Sequence, residues 1–234
     1  MRGVPNAEHP LRSSDNDRCM PRMTPTTRFS YLAMALPYAA VLLGLYVLRN
    51  AWATILLYHV GMVTLLRFGG QEGLLRAVRQ GWSAPAAAVI GIVFATGGLL
   101  LALLWGTISR EHVNLRETLT SFHLSGLHWW VFAAYYVTVH PVLEEIYWRG
   151  YLPRAHRSPV VVDVAFAGYH VLVLCIFIKL PWVLVSFGVL LFAAWSWRQL
   201  VARYSGLGVA IASHAAADLS VIAVAEYLIR NKSA

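Results

Sequence analysis

Charged residues are scarce in this sequence. Lys, Arg, Asp and Glu make up 13% of its 234 residues, whereas a soluble domain carries about 25%. Hydrophobic residues make up 58%, and the mean hydropathy is +0.57. These proportions argue against a water-soluble globular protein and favour a protein that lies in a membrane.

Cysteine is scarce as well. Cys19 precedes the first apolar run of the chain, and Cys175 lies inside a later run. Two thiols so far apart provide neither a disulfide framework nor a cysteine-based metal site.

A concentrated patch of positive charge is also missing, although the formal net charge is +8. The basic residues are distributed among the segments that connect the apolar runs. A cytoplasmic N-terminus puts most of the 19 Lys and Arg residues on the cytoplasmic side, as the positive-inside rule requires. We therefore predict a cytoplasmic N-terminus and no nucleic-acid partner. Arginine far outnumbers lysine, which favours a GC-rich bacterial source.

Apolar runs long enough to cross about 30 Å of hydrocarbon recur along the chain. The sequence predicts seven membrane-spanning helices, at residues 31–48, 51–66, 85–108, 127–152, 160–178, 181–197 and 207–229. The second and sixth runs are short, so six to eight spans fit the pattern. The predicted fold class is all-α, a polytopic transmembrane helix bundle in the lipid bilayer of the cytoplasmic (inner) membrane. Residues 1–29 are expected to form a disordered cytoplasmic tail, and residues 30–230 a single transmembrane domain.

The end of the fourth predicted span carries Glu144, Glu145 and Arg149. An isolated charge within a membrane costs roughly 2.5–3.5 kcal/mol. On a helix, Glu145 and Arg149 are four residues apart and can neutralise each other. Glu144 lies about 100° around the helix axis from Glu145, where only His140 is a polar neighbour at that spacing. The pattern therefore leaves Glu144 as a buried carboxylate without an evident partner.

Two other predicted spans carry ionisable residues at a similar depth. The fifth span contains His170, and the seventh contains His214 and Asp218. At about 1.5 Å of rise per residue, these three residues and Glu144 lie roughly 10–16 Å from the cytoplasmic ends of their helices. We expect the four side chains to converge in one layer. His59, in the second span, is expected to form a hydrogen bond to a neighbouring helix.

Several of these residues also have ordinary structural interpretations. Glu226 precedes Arg230 by four residues and is expected to form a local ion pair with it. Asp163, near the start of the fifth span, is expected to cap that helix or to lie at the membrane interface. His214 and Asp218 are likewise four residues apart and could simply satisfy each other.

Three motifs occur in order on separate predicted helices: Glu144-Glu145-x-x-x-Arg149, Phe166-x-x-x-His170 and His214-x-x-x-Asp218. In these motifs the sequence resembles the CPBP intramembrane proteases. That family includes the CAAX prenyl endopeptidases and bacterial bacteriocin-processing and immunity-related enzymes. The resemblance covers about residues 127–228, which would form the catalytic core.

The resemblance implies an endopeptidase that cleaves a membrane-associated protein or peptide near the cytoplasmic face. Glu144 and His170 would activate the attacking water, and His214 would help to stabilise the oxyanion. Glu145, Arg149 and Phe166 would have a structural role and hold the catalytic side chains in position.

Asp218 departs from the family pattern, in which Asn is usual at this position. An ionised Asp only accepts hydrogen bonds, so it cannot donate to an oxyanion as an amide does. We expect Asp218 instead to orient and polarise His214, as a carboxylate orients a histidine in other hydrolases.

Other functions remain open at this point. The resemblance implies no cofactor, but the same four side chains (Glu144, His170, His214 and Asp218) could supply oxygen and nitrogen ligands to zinc. A non-catalytic membrane scaffold or immunity protein could use the polar cluster for helix packing. A proton-coupled transporter could use it as a relay, which would require polar residues that continue across the bilayer.

Overall fold

The structure is a computed structural model that describes residues 27–68, 73–111, 113–152 and 157–231. Its α-helices are α1 (Thr27–Val41), α2 (Ala51–Phe68), α3 (Leu74–Arg79), α4 (Ala84–Ile108), α5 (Leu115–Ser121), α6 (Gly126–Thr138), α7 (His140–Glu144), α8 (Val161–Phe177), α9 (Leu180–Tyr204) and α10 (Gly208–Asn231). Two segments have π-helical hydrogen bonding. They are π1 (Leu42–Val47), which continues α1, and π2 (Glu145–Tyr151), which continues α7. The predicted tail at residues 1–29 lies outside the described residues, except for the backbone of its last three residues, which begin α1.

The predicted helical transmembrane bundle is confirmed. Five helical stretches of the described chain are long and apolar enough to cross a membrane: 30–47, α2, α4, α9 and α10. The shorter apolar helix α8, and the segment from α6 to π2, run between the same two ends of the bundle. The protein is therefore a multi-pass membrane protein of about seven spans.

Backbone hydrogen bonds show which connections meet at each end. At one end, the backbone N–H of Leu207 donates to the carbonyl of Ala77 (2.9 Å), so the start of α10 meets α3. At the opposite end, the N–H of Ala51 donates to the carbonyl of Phe122 (3.1 Å), which follows α5. We call these the α3 end and the α5 end of the bundle.

Large apolar side chains cover the outer face of the bundle. On α4, Val89, Ile92 and Leu103 are each more than 60% exposed, and α9 exposes Leu184 and Val189 in the same way. Exposing an apolar belt of this size to water would cost much free energy, whereas the hydrocarbon chains of lipid solvate it. The exposed belt therefore supports the membrane location independently of helix length.

Helices α4 and α10 pack closely because small residues face each other. A Cβ atom added at Gly98 would lie 2.7 Å from the backbone of Ser220, and one at Gly91 would lie 3.3 Å from the Cβ of Ala216. Small residues of this kind allow the backbones of membrane helices to approach each other. Gly97, next in the sequence, faces open space.

Replacing Gly98 by Ala should therefore destabilise the bundle. The new methyl group meets backbone atoms that cannot rotate away, and overpacking of this kind costs about 1–3 kcal/mol. The matched control is Gly97→Ala, which meets nothing within 4 Å. Thermal unfolding in detergent measures both variants. An equal loss of stability in the two variants would contradict the packing described here.

The fourth predicted span, at residues 127–152, is not one continuous helix. It divides into α6, α7 and π2, with a turn at Val139. Pro141 lacks an N–H group and its ring clashes with the preceding turn, which breaks a helix at this point. Wider π turns then begin at Glu145, and π segments of this type are common at functional sites. The break gives Glu144 and Glu145 different surroundings, although they are adjacent in sequence.

Candidate active site

Six helical segments meet around a buried polar cluster in the interior of the bundle. Its carboxylate members are Glu144 at the end of α7, Glu145 at the start of π2 and Asp218 on α10. All three are buried, and both glutamates are completely shielded from solvent. Helices α2, α8 and α9 pack around this centre and supply aromatic and imidazole side chains.

Two tyrosine hydroxyls hold one oxygen of Glu144. Tyr58 of α2 and Tyr169 of α8 each donate to Glu144 Oε1 at 2.6 Å. The indole N–H of Trp148 donates in turn to the Tyr58 hydroxyl at 2.7 Å. Short hydrogen bonds to an ionised acceptor are strong, so this carboxylate is fixed in position and its negative charge is partly compensated.

The other oxygen of Glu144 has no hydrogen-bond donor among the described residues. Glu144 Oε2 lies 3.5 Å from His140 Nε2 and 3.6 Å from His214 Nε2. The carboxylate therefore presents one occupied and one available oxygen, and the available oxygen lies between two imidazoles. A carboxylate in this state can accept a proton from a molecule that binds beside it.

Glu145 forms the predicted ion pair with Arg149, whose Nη1 lies 3.1 Å from Glu145 Oε1. The same oxygen also accepts from His214 Nδ1 at 2.9 Å. The Arg149 guanidinium lies over the Phe166 ring at 4.3 Å and near the Trp197 ring at 5.1 Å. The pair is thus enclosed by aromatic rings and joined to the histidine of α10.

Glu145, and not Asp218, orients His214. The distance from His214 Nε2 to Asp218 Oδ1 is 3.7 Å, which is too long for a hydrogen bond. The Trp197 ring stacks on His214, with 4.2 Å between centroids and 17° between planes. The expectation that Asp218 orients and polarises His214 is therefore wrong in its first part, because a carboxylate on another helix accepts from the orienting nitrogen. Asp218 lies instead beside the opposite nitrogen, which also faces Glu144.

His170 lies beside the cluster on α8 and is half-buried. Its Nδ1 donates to the carbonyl of Phe166 at 2.8 Å. A carbonyl can only accept, so Nδ1 carries the proton and the neutral ring has a bare Nε2 that can accept. The ring lies against Tyr169, with 4.0 Å between centroids. His170 is therefore next to one of the two tyrosines that donate to Glu144.

Two acidic residues outside the cluster, Glu226 and Asp163, form structural contacts. Glu226 pairs with Arg230 as predicted and also accepts from the indole of Trp129 at 2.8 Å. Asp163 caps α8 as predicted, since it accepts from the N–H of Val160 at 2.9 Å. It also forms a buried ion pair with Arg198 of α9 at 2.6 Å, which the sequence did not indicate.

The cluster contains carboxylate and imidazole groups, which are the kinds of group that bind zinc. No group of three or more His, Cys, Asp and Glu side chains in the described part of the chain is arranged to hold a metal ion. The Nδ1 atoms of His214 and His170 are engaged by Glu145 and by a carbonyl, which leaves their Nε2 atoms. The described side chains are not arranged as a zinc site, and no step of the reaction is assigned to a metal.

Sequence reasoning missed the contributions of α2 to the site. Tyr58 binds the central carboxylate, and His59 contacts His140 at 3.0 Å between ring nitrogens. The expectation that His59 bonds to a neighbouring helix is confirmed, but its partner was not identified. A tyrosine in the middle of a span was an available signal, because its buried hydroxyl needs a hydrogen-bond partner.

The fold and this cluster define a helical membrane protein with a buried glutamate–histidine site. Residues 126–220 match the family model described as Type II CAAX prenyl endopeptidase Rce1-like. No curated protein and no solved structure matches the chain. The matched segment contains all three motifs, so the resemblance to the CPBP proteases is confirmed and a protease is supported as the class of enzyme.

Proposed function

We propose that this protein is an intramembrane endopeptidase that hydrolyses a peptide bond of a membrane-associated protein or peptide. The observation that carries the proposal is the buried carboxylate of Glu144, which has one oxygen held by two tyrosines and the other available between two imidazoles. A general base needs a fixed position and a free lone pair within reach of the water that it activates. The two tyrosines hold Glu144 in place, and its Oε2 keeps a lone pair that no described donor occupies, which supports the proposal.

In the proposed reaction, the water oxygen attacks the peptide carbonyl carbon as Glu144 Oε2 accepts one water proton. His170, through its bare Nε2, is the second acceptor that orients this water. The tetrahedral intermediate collapses when the bond from carbon to nitrogen breaks, and Glu144 returns its proton to the leaving amine. The products are a new carboxyl terminus and a new amino terminus, and Glu144 is again a carboxylate.

His214 is the proposed oxyanion donor. Its Nδ1 already donates to Glu145, so donation from Nε2 requires the imidazolium form of the ring. Asp218 lies 3.7 Å from this nitrogen, and its negative charge would compensate the imidazolium. Oxyanion donors of this kind typically contribute about 10²–10³-fold to the rate.

We also propose that the α3 end faces the cytoplasm of a bacterial inner membrane. The arginine-containing residues 1–26 join α1 at that end, in agreement with the positive-inside rule. Glu144 precedes Leu152 at the α3 end by eight residues, which corresponds to roughly 12 Å of helix. Cleavage would then take place near the cytoplasmic face.

The test is peptide cleavage by the purified protein in lipid vesicles. Membrane-anchored peptides with and without a prenylated C-terminal cysteine are incubated with the protein, and new termini are identified by mass spectrometry. Cleavage of at least one peptide is expected, and the comparison shows whether a lipidated cysteine is needed. A protein that is folded and inserted but cleaves no peptide of either class would contradict the proposal.

Metal chelation should leave this cleavage unchanged. The proposed water activation uses carboxylate and imidazole groups that are present in the chain, so removal of divalent metal ions has no step to block. The rate is measured before and after exhaustive dialysis against a strong chelator, with a known zinc protease treated in parallel. Loss of activity that returns on addition of zinc would contradict the metal-free mechanism.

A further inference from the structure

Two buried histidines have no part in the reaction proposed above. His59 of α2 and His140 of α7 are joined by a contact of 3.0 Å between His59 Nε2 and His140 Nδ1. His59 Nδ1 lies 2.7 Å from the hydroxyl of Tyr135 on α6. His140 Nε2 faces Glu144 Oε2 at 3.5 Å. The four side chains form a row that begins at a half-buried tyrosine and ends at the available oxygen of the proposed base.

The row has a direction, because a contact between two neutral imidazoles needs one donor and one acceptor. In the first arrangement, Tyr135 donates to His59 Nδ1, and His59 Nε2 donates to His140 Nδ1. His140 then carries its proton on Nε2, which points at Glu144 Oε2. Both nitrogens of His59 and the Nδ1 of His140 are used in this arrangement, and the Nε2–H of His140 faces Glu144 Oε2 at 3.5 Å.

The reverse arrangement fits a protonated glutamic acid. His140 Nδ1 then donates to His59 Nε2, and His59 Nδ1 donates to the Tyr135 oxygen. The bare Nε2 of His140 can accept from an O–H group on Glu144 Oε2, which is the oxygen that receives the water proton in the proposed reaction. The two directions of the row therefore correspond to the two protonation states of Glu144.

We propose that His59 is a positioning residue for Glu144. Through His140, it keeps an N–H group facing the carboxylate before the reaction. The inference rests on the proposed function, because it gives Glu144 the role of the base. His59 lies on α2, outside residues 126–220 that match the family model, whereas the other three members of the row lie inside them.

Simple helix packing explains the row less well. Buried polar groups cost free energy unless their hydrogen bonds are made, and an apolar pair could fill the same space. The described hydrogen bonds of the row stop at Tyr135 on α6 and do not continue to the α5 end. A row that starts at Glu144 and ends inside the membrane suits control of one carboxylate better than transport across the bilayer.

The test compares two replacements of His59 in the purified, full-length protein. His59→Phe keeps a ring but loses both nitrogens, whereas His59→Gln keeps an amide that can donate to His140 Nδ1. We expect the kcat of His59→Phe to fall by about 10-fold to 100-fold, the range typical when the hydrogen-bond partner of a metal-bound histidine is removed. KM should stay unchanged, and His59→Gln should recover most of the rate. His128→Phe, on an exposed position of α6, is the control.

The pH profile separates positioning from packing. Without a fixed donor the carboxylate form of Glu144 is less favoured, so the acid limb of kcat/KM should move to higher pH in His59→Phe and return in His59→Gln. The other groups around Glu144 stay the same in both variants: Tyr58 on α2, Tyr136 on α6, His140 beside it, Glu145 on π2, Tyr169 and His170 on α8, and His214 and Asp218 on α10. An acid limb that does not move, or an equal loss of kcat in both variants, would overturn the proposal.

Two further measurements keep the test decisive. Tyr135→Phe removes only the hydroxyl that donates to His59, at a half-buried position, and should move the acid limb in the same direction by a smaller amount. If His59→Phe does not fold, the Tyr135→Phe variant takes its place in the test. An acid limb that does not move in Tyr135→Phe would overturn the proposal. Nitrogen-15 NMR of labelled histidines should find His140 with a bare Nδ1 and a protonated Nε2. The opposite tautomer would overturn the proposal whether or not the protein cleaves peptides, so failure of the proposed function would be recognised separately.

Discussion

Replacement of Glu144 by Gln is expected to abolish cleavage while the protein remains folded and inserted. The amide has the shape of the carboxylate, and its oxygen can still accept from Tyr58 and Tyr169. Its nitrogen would stand in place of Oε2 and cannot accept a proton from water. General-base catalysis contributes about 10²–10⁴-fold, so the rate should fall by at least about 10³-fold, given that the same group also protonates the leaving amine. Initial rates in lipid vesicles measure this change.

Glu226→Gln is the matched control for this experiment. It makes the same chemical change on α10, in a carboxylate that pairs with Arg230 and Trp129 away from the cluster. Its rate should stay within a few-fold of the wild-type rate. A Glu144→Gln protein that cleaves as fast as the Glu226→Gln protein would contradict the role of Glu144 as the base.

Replacement of Arg149 by Met is expected to destabilise the whole bundle. Arg149 and Glu145 are both buried, and their contact of 3.1 Å is enclosed by Phe166 and Trp197. Removing one partner of a buried pair leaves an uncompensated charge and costs about 3–5 kcal/mol. Unfolding in detergent by heat or by denaturant measures the loss.

Two further variants locate the cause of that loss. Arg203→Met removes an exposed arginine at the α3 end and should change stability by less than about 0.5 kcal/mol. The double variant Glu145→Gln, Arg149→Met removes both charges and should be more stable than Arg149→Met alone. The single variant Glu145→Gln completes the comparison. If the double variant lost as much stability as Glu145→Gln and Arg149→Met lose in sum, the two residues would not act as a pair.

The span pattern could be predicted from the sequence because hydrocarbon thickness sets the length of apolar runs. The convergence of Glu144, His214 and Asp218 also followed from depth along the helices, since 1.5 Å of rise per residue relates sequence position to height in the membrane. The ion pair between Glu145 and Arg149 could likewise be predicted from helical spacing. Each of these predictions depends on one helix at a time or on height alone.

The errors concern rotation and the choice of neighbours between helices. The partner of His214 Nδ1 depends on which side of α10 faces π2, and spacing along one chain carries no information on that. Pro141 gave a signal for the break after α6, but not for the π turns that follow. Tyr58 and His59 entered the site from a helix that resembled only an ordinary span, because a single tyrosine and histidine have no periodic pattern.

The central claim is that this chain cuts a membrane-associated polypeptide by means of Glu144. Its most direct test is a comparison of the membrane proteomes of two bacterial strains that produce equal amounts of the wild-type protein and the Glu144→Gln protein. The ends of all membrane-associated polypeptides are identified by mass spectrometry. The account predicts new termini near a membrane boundary in the wild-type strain that are missing from the Glu144→Gln strain. An identical set of termini in the two strains would contradict it.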